Sequence, residues 1–498
     1  MLSRFEQILE RYPDKIAVSN EFGAMTFSRL NEEADRLVPF LSSVNRPVVM
    51  PALPGGPELT LLQLAVWKAG GVLAPIPEKC TEREARIFSE QIRPDLVAVH
   101  SLSEQKEVLK GTGSETPILS FRIQEESSSD RLVLSASKIE YSKYLNKLSV
   151  SLPEEVRLIQ FSSGSTGRPK AILLSERNLL SNLDANLEHL SQFAGKDAFC
   201  SVPQYHAMGA AVLQELLWVG CGVHFSNRFM PGEHLARMRK FGCTSIATTP
   251  NYMKLLLDIG GLNRERFLPL ESFTIGTAAL DGKLMRRILE VYPESKIYCR
   301  YGLSESVGAL TRLEVHSGDT YVPGSVGVPV SGVEFSSDLR GQKETEIVVR
   351  SGCVAMGQLS DSGECFAITD DRGFLHTGDT GFLDANGNLR ILGRKNSFLK
   401  VNGYRVSSLE IELILKSIPG VQEAVVVGVE DDQSGQSIVA CIEPIPGSLL
   451  PDSAEFDRLC RSEMSSYKIP KKFVMYENLP RTSAGKPDRE RIYLEVNG

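Results

Sequence analysis

The sequence predicts an α/β protein. A large N-terminal domain of α/β layers carries a small β-rich subdomain, and a small α+β domain follows at the C-terminus. Three observations point there. The chain has 498 residues, more than one hydrophobic core holds, since single cores stop growing near ~250–300 residues. Short apolar runs alternate with helical patterns through the first part, as in layered α/β proteins. A separate helix-and-strand pattern then follows Gly393-Arg394-Lys395-Asn396. The boundary is therefore expected at 393/394, giving domains 1–393 and 394–498.

The elements are read in order. Thr60–Ala69 is expected to be a helix, Gly71–Ile76 the strand after it, and Asp95–His100 another strand. Glu125–Asp130 is polar and Ser-rich and reads as a surface loop. Arg157–Phe161 is a short strand entering a glycine-rich turn, with a helix over Asn178–Leu190. Thr244–Thr249, Ser272–Ile275 and Ser295–Cys299 read as buried strands. Tyr321–Leu392 is glycine-rich with alternating segments, which suggests the β-rich subdomain. Beyond the boundary, Ser407 stands three residues before Glu410, the signature of a capping box opening a helix to about Ser417. Strands are expected at Ala424–Val429, Ile438–Glu443 and Lys472–Tyr476, with a helix at about Ser453–Met464.

Composition narrows the class. Hydrophobic residues are 42% and charged residues 23%, with a net charge of −7. No global basic field draws in nucleic acid or an anionic membrane. The nine cysteines are odd in number and form no C-x-x-C pair. A disulfide framework or zinc site is not expected, and a reducing cytoplasm is. The N-terminal segment lacks the apolar core of a signal peptide. No apolar stretch reaches the ~18–20 residues of a membrane span.

Four motifs carry chemistry. Phe161-Ser162-Ser163-Gly164-Ser165-Thr166-Gly167-Arg168-Pro169-Lys170 follows a strand. Its glycines let backbone approach phosphate, and its hydroxyls and N–H groups donate to phosphate oxygens. It is not a Walker loop, because no Gly-Lys-Ser/Thr triplet occurs. Tyr301-Gly302-Leu303-Ser304-Glu305-Ser306 lies just beyond an expected strand, where α/β folds place ligands. Its aromatic ring suits stacking on a base, and its carboxylate suits Mg²⁺. Thr377-Gly378-Asp379 precedes Gly393-Arg394 and Lys400-Val401-Asn402-Gly403-Tyr404-Arg405. Asp379 can accept from ribose hydroxyls, and Arg394 can clamp phosphate in a fork. Pro480-Arg481-Thr482-Ser483-Ala484-Gly485-Lys486 offers one lysine as a point charge on a small-residue loop. Taken singly, each has an ordinary structural explanation: a Ser/Gly loop, a helix start, a pair of turns, a solvated terminal lysine.

In this order and spacing, the four motifs resemble the acyl-adenylate-forming (AMP-binding) superfamily, and within it the acyl- and aryl-CoA ligases. The resemblance covers roughly Phe5 to Arg489. It implies ATP, Mg²⁺ and CoA, or a carrier-protein phosphopantetheine, as cofactors and co-substrates. It implies that Ser162, Ser163, Gly164, Ser165, Thr166, Gly167 and Lys170 wrap the ATP phosphates. Gly276, Thr277 and Ala278 then line the adenine and acyl pockets, Tyr301 stacks on the adenine, and Gly302 belongs to the same ATP-binding set. Ser304 binds the α-phosphate, Glu305 holds Mg²⁺, Asp379 holds the ribose, and Arg394 contacts ribose or phosphate. Lys486 bridges the acid carboxylate and the α-phosphate. The C-terminal domain is implied to be a mobile lid turning about a hinge at Asn396, where the family usually has Asp or Lys. The turn removes Lys486 and brings in Lys400–Arg405, with Gly403 leaving room for the pantetheine arm.

Pro203-Gln204-Tyr205-His206-Ala207-Met208-Gly209 resembles the family's acyl-pocket motif, placing His206 and Gly209 beside the acid. Amino-acid-activating members usually carry an Asp in this region, and none lies between Gln204 and Gly222. A small aryl or short- to medium-chain acid is therefore expected, with no nucleic acid or membrane span as partner. The alternatives are a stand-alone enzyme loading a carrier protein, a luciferase-like oxygenase, a phosphotransferase, and a non-catalytic nucleotide-binding protein. The last is expected to have lost Lys486 or Glu305, and both are present.

Overall fold

The computed structural model describes residues 1–100, 105–112, 116–124, 135–141, 149–162, 169–228, 230–258, 262, 270–277, 280, 282–317, 321–322, 324–340, 345–360, 362–395, 398–401, 404–431, 435–448, 450–463, 468–482 and 485–497. The expected loop 125–130 falls outside these.

Two nine-stranded mixed sheets form the large domain. In the first, six neighbouring strands run parallel: Lys296–Gly302, Ser272–Ile275, Ser245–Thr248, Asp197–Cys200, Gly222–Phe225 and Ile16–Asn20. The second is centred on Val48–Ala52, flanked by parallel Val72–Leu73 and Leu96–Val99. Its strands Val156–Ser162 and Lys170–Ser175 form an antiparallel hairpin. The helix Pro57–Lys68 is buried on every side from Pro57 to Trp67, and it touches strands of both sheets. A mostly apolar helix buried on every side belongs inside a large core. Its proline, in the first turn, costs no hydrogen bond.

A four-stranded antiparallel sheet, Val333–Phe335, Thr345–Ser351, Leu375–Leu383 and Leu389–Arg394, forms the β-rich subdomain. The C-terminal domain has a five-stranded sheet built on the long hairpin Val421–Asp431 and Gly435–Pro444. Its core includes Ile411, Leu415, Val426, Ile442 and Phe456. Among the described residues, no helix is long and apolar enough to cross a membrane. All nine cysteines are free, and only Cys365 is exposed.

Several expectations change. The strand expected over 71–76 pairs only at Val72–Leu73. The chain nevertheless stays alongside Val48–Ala52, with Ala74 and Ile76 donating to the Val49 and Pro51 carbonyls; Pro75 between them has no N–H to give. The strand expected to end at Cys299 runs on to Gly302, because it pairs with Ala309–Val315. The cap at Ser407 is half of the expected box. Its hydroxyl accepts from the Glu410 N–H, but the Glu410 carboxylate turns to Lys468 instead. The helix Arg489–Asn497 was not among the expected elements.

Candidate active site

Parallel strands end where ligands bind. Here Ser272–Ile275 leads into Gly276-Thr277, and Lys296–Gly302 leads into the 3₁₀ turn Ser304–Ser306. Gly302 is required at its place, since a Cβ there would stand 2.1 Å from the Gly308 carbonyl oxygen. Two β-branched residues beside this edge, Thr277 (φ 71°) and Val307 (φ 61°), take the left-handed region. Such a conformation in Thr or Val is strained and held by its surroundings.

The hairpin of Val156–Ser162 and Lys170–Ser175 packs beside this turn, with Ser162 opposite Lys170. The loop residues Ser163, Gly164, Ser165, Thr166 and Gly167 lie outside the described residues, as do Ala278, Asn396 and Gly403. Lys400 is in the strand Phe398–Val401, in register with Arg405.

Tyr301 and Asp379 are 78 residues apart in sequence and meet in space. The Tyr301 hydroxyl donates to Asp379 Oδ2 at 2.7 Å, and Arg394 Nε pairs with Asp379 Oδ1 at 2.8 Å. Burial raises the Asp379 pKa, while Arg394, Tyr301 and Lys486 oppose the rise. Burial and the Asp379 charge push the Tyr301 phenol well above its ordinary value, so it remains a neutral donor. Each carboxylate oxygen has a second lone pair left for a further donor.

Lys486 lies in this cluster's field. Desolvation and Arg394 lower its pKa, and Asp379 raises it. It also reaches His206: burial, and then the Lys486 charge, lower the imidazole to about 4. His206 is therefore neutral at ordinary pH, at the N-cap of the helix Ala207–Leu217, with Tyr205 packed 4.4 Å away. Gly209 admits no side chain, because a Cβ would come within 2.1 Å of the Pro203 oxygen. Met208 covers Gly276, its sulfur 3.1 Å from where a Cβ would sit.

Ser304, Glu305 and Lys486 have no side-chain hydrogen bond or ion pair among the described residues, and neither do Ser162, Lys170 and His206. The Lys486 ammonium lies in the field of the guanidinium–carboxylate pair and the neutral imidazole, and the Ser304 hydroxyl and Glu305 carboxylate follow Tyr301 at the same strand end. Such a set can take up a polyanion and its counter-cation. Among the described residues, no group of three or more His, Cys, Asp or Glu side chains forms a metal cage.

A family model described as AMP-binding enzyme matches residues 5–358, and one described as AMP-binding enzyme C-terminal domain matches 410–486. The chain belongs to the AMP-binding enzyme family. Its relatives include an oxalate–CoA ligase of Arabidopsis thaliana, 25% identical over 98% of this chain and 96% of that protein. A D-alanine–D-alanyl carrier protein ligase of Staphylococcus aureus is 25% identical over 100% of this chain and 99% of its own. Among solved structures, ATP-bound MatB from Rhodopseudomonas palustris shares the fold, with a TM-score of 0.79, 23% identity, and coverage of 99% and 98%.

Residues that carry no family motif support the site from behind. Arg300, next to Tyr301, makes a two-pronged pair with buried Glu215, and Asn182 donates to the same carboxylate at 3.0 Å. Glu346 ties two motifs together. It accepts from the Gly378 N–H at 3.2 Å and from Lys395 Nζ at 3.1 Å. Burial opposes its ionisation, but Lys395 and His376 hold its pKa below the usual value.

Proposed function

We propose that this AMP-binding enzyme activates a small carboxylic acid with ATP and Mg²⁺ as an acyl-adenylate, then passes the acyl group to the thiol of CoA. The observation that carries this reading is the Lys486 ammonium, unpaired among the described residues and in the field of Asp379, Arg394 and His206. A carboxylate approaching a polyphosphate meets like charge. Lys486 offsets that repulsion where acid and α-phosphate meet, and the benefit grows as charge develops in the transition state.

The acid carboxylate oxygen attacks the α-phosphorus, the bond to the bridging oxygen breaks, and pyrophosphate leaves. Ser304 donates to the α-phosphate. Asp379 accepts from the ribose hydroxyls, and Arg394 opposes the rise that burial gives its pKa. Tyr301 and Gly302 border the adenine, with Gly276 and Thr277 opposite. Ser162–Lys170 receives the outer phosphates. Glu305 fits Mg²⁺, being partly exposed and without a partner among the described residues; the ion would neutralise phosphate charge. In the second step a thiolate attacks the carbonyl carbon and AMP departs. Lys486 must then give way to the Lys400–Arg405 segment, which requires the domain 394–498 to turn about Asn396.

Neutral His206 and Met208 border the acid. Glu215 is the one carboxylate between Gln204 and Gly222, and it is consumed by Arg300. Nothing in that stretch is left to pair with an α-ammonium group, so simple aryl or alkyl acids are preferred over α-amino acids. A carrier-protein thiol is the second reading for the acceptor, favoured by the full-length match to a carrier-protein ligase. Pyrophosphate release across a panel of acids, with CoA, with a phosphopantetheinylated carrier, and with neither, tests both steps. ADP as the primary product overturns the first, and a preferred free amino acid overturns the acid class.

A further inference from the structure

The C-terminal domain is fastened to the large domain at a second place, away from the reacting groups. On the large domain, the helix Pro250–Asp258 presents Asn251 and Lys254, and the helix Gly282–Val291 presents Lys283. Facing them are the end of the helix Ser408–Ser417 and the start of the strand Val421–Asp431. Asn251 Nδ2 donates to Glu423 Oε2 at 2.8 Å. Lys254 Nζ donates to the Val421 carbonyl at 2.5 Å, and Lys283 Nζ to the Ser417 carbonyl at 3.2 Å. Ser417 is the last residue of its helix, where carbonyls lack partners and the helix dipole favours cations. Glu423 is itself buried and held by Lys416, so Asn251 docks onto a fixed charge.

Lys486 moves with the domain that these contacts hold. Its loop is tied inward by Arg481 to Glu443 at 2.8 Å and by Arg489 to Glu412. The Thr482 N–H donates to the Lys486 carbonyl at 2.8 Å. Where the domain sits therefore decides whether Lys486 reaches the cleft.

We infer that Asn251, Lys254 and Lys283 form an interdomain latch, positioning residues that hold the C-terminal domain where Lys486 serves adenylation. The inference rests on the two-position reading above. None of the three touches substrate. They set the ratio of the latched to the turned population, and each half-reaction runs from one population. The ratio of adenylation rate to thioester rate therefore follows that equilibrium directly, whatever its starting value. Losing a hydrogen bond to a charged group shifts such a ratio roughly tenfold.

The test measures both half-reactions in the full-length enzyme: single-turnover pyrophosphate release, and thioester formation from a pre-made acyl-adenylate. Asn251→Asp sets a carboxylate against Glu423, and Lys254→Ala removes a donor. Each is expected to lower the ratio roughly tenfold, with thioester formation preserved or faster, while Lys254→Arg keeps the ratio near the parent's. Should Asn251→Asp lose the fold in a melting scan, Lys283→Ala, on an exposed side chain, carries the test with the same expected direction. An unchanged ratio in the latch variants, or an equal fall in both steps, overturns the latch. Lys486→Ala run alongside separates the two claims. If it impairs both half-reactions alike, the two-position reading itself fails. If it splits them and the latch variants do not, only the latch fails.

Discussion

Removing the Lys486 ammonium tests electrostatics with little interference from folding. Lys486 has no ion-pair partner among the described residues, and its loop retains the Thr482–Lys486 backbone bond. Lys486→Ala therefore strands no buried carboxylate, and its folding cost is that of an ordinary surface change, within about 0.5 kcal/mol. The whole effect falls on the reaction. Loss of one preorganised charge aimed at a developing anion costs roughly 10²–10³ in rate, about 2.7–4 kcal/mol. Arginine restores little of it, because a planar fork replaces a compact point charge. Rapid-quench measurement of adenylate formation with saturating ATP and acid reads the first step, and melting curves confirm the fold. A loss under threefold with an unchanged melting temperature would refute the assignment of Lys486 to the reacting centre.

Three further outcomes follow from packing and burial. Glu215→Ala leaves the Arg300 guanidinium without its buried partner, and stability measured by urea unfolding is expected to fall by about 3–5 kcal/mol; a loss under 1 kcal/mol contradicts the pairing. Gly302→Ala drives a Cβ to 2.1 Å from the Gly308 oxygen, so adenylation should fall at least roughly tenfold as the Ser304–Glu305 turn is displaced, and parent-like adenylation would show that the turn tolerates the shift. Burial raises the Glu58 pKa from 4.5 to about 7. The folded state then binds the extra proton between those values, and stability is lost as pH rises through the folded pKa. The full difference is about 3 kcal/mol. Unfolding of Glu58→Gln between pH 5 and 8 should lack this decline, and a decline equal to the parent's would assign the titration elsewhere.

Much of the site could be read from the sequence because its chemistry is carried by short, local motifs. Tyr301-Gly302-Leu303-Ser304-Glu305 and Thr377-Gly378-Asp379 declare their functional groups within a few residues, and the neighbouring strands place them at a sheet edge. What joins the motifs is long-range and has no local pattern. The Tyr301–Asp379 bond spans 78 residues and the Arg300–Glu215 pair 85. Arg300 and Glu215 read singly as ordinary charges, and only the fold shows that each buries the other. Asn251 and Glu423, 172 residues apart, meet only when the two domains dock. Strand ends failed for a similar reason. Tyr301 and Gly302 extend their strand because a hairpin partner arrives afterwards, and beyond Leu73 the Ala74 and Ile76 N–H groups still bond to the neighbouring strand while Pro51 there has no N–H to return.

Isotope transfer tests the central claim most directly. An acid accepted in the panel is labelled with ¹⁸O in its carboxylate and turned over with ATP, Mg²⁺ and CoA. If the carboxylate oxygen attacks the α-phosphorus and the thiol then attacks the carbonyl carbon, the C–O bond breaks and one labelled oxygen leaves in AMP. Mass spectrometry should find a single ¹⁸O in AMP and none in pyrophosphate. Unlabelled AMP, or label in orthophosphate beside ADP, would contradict the acyl-adenylate account.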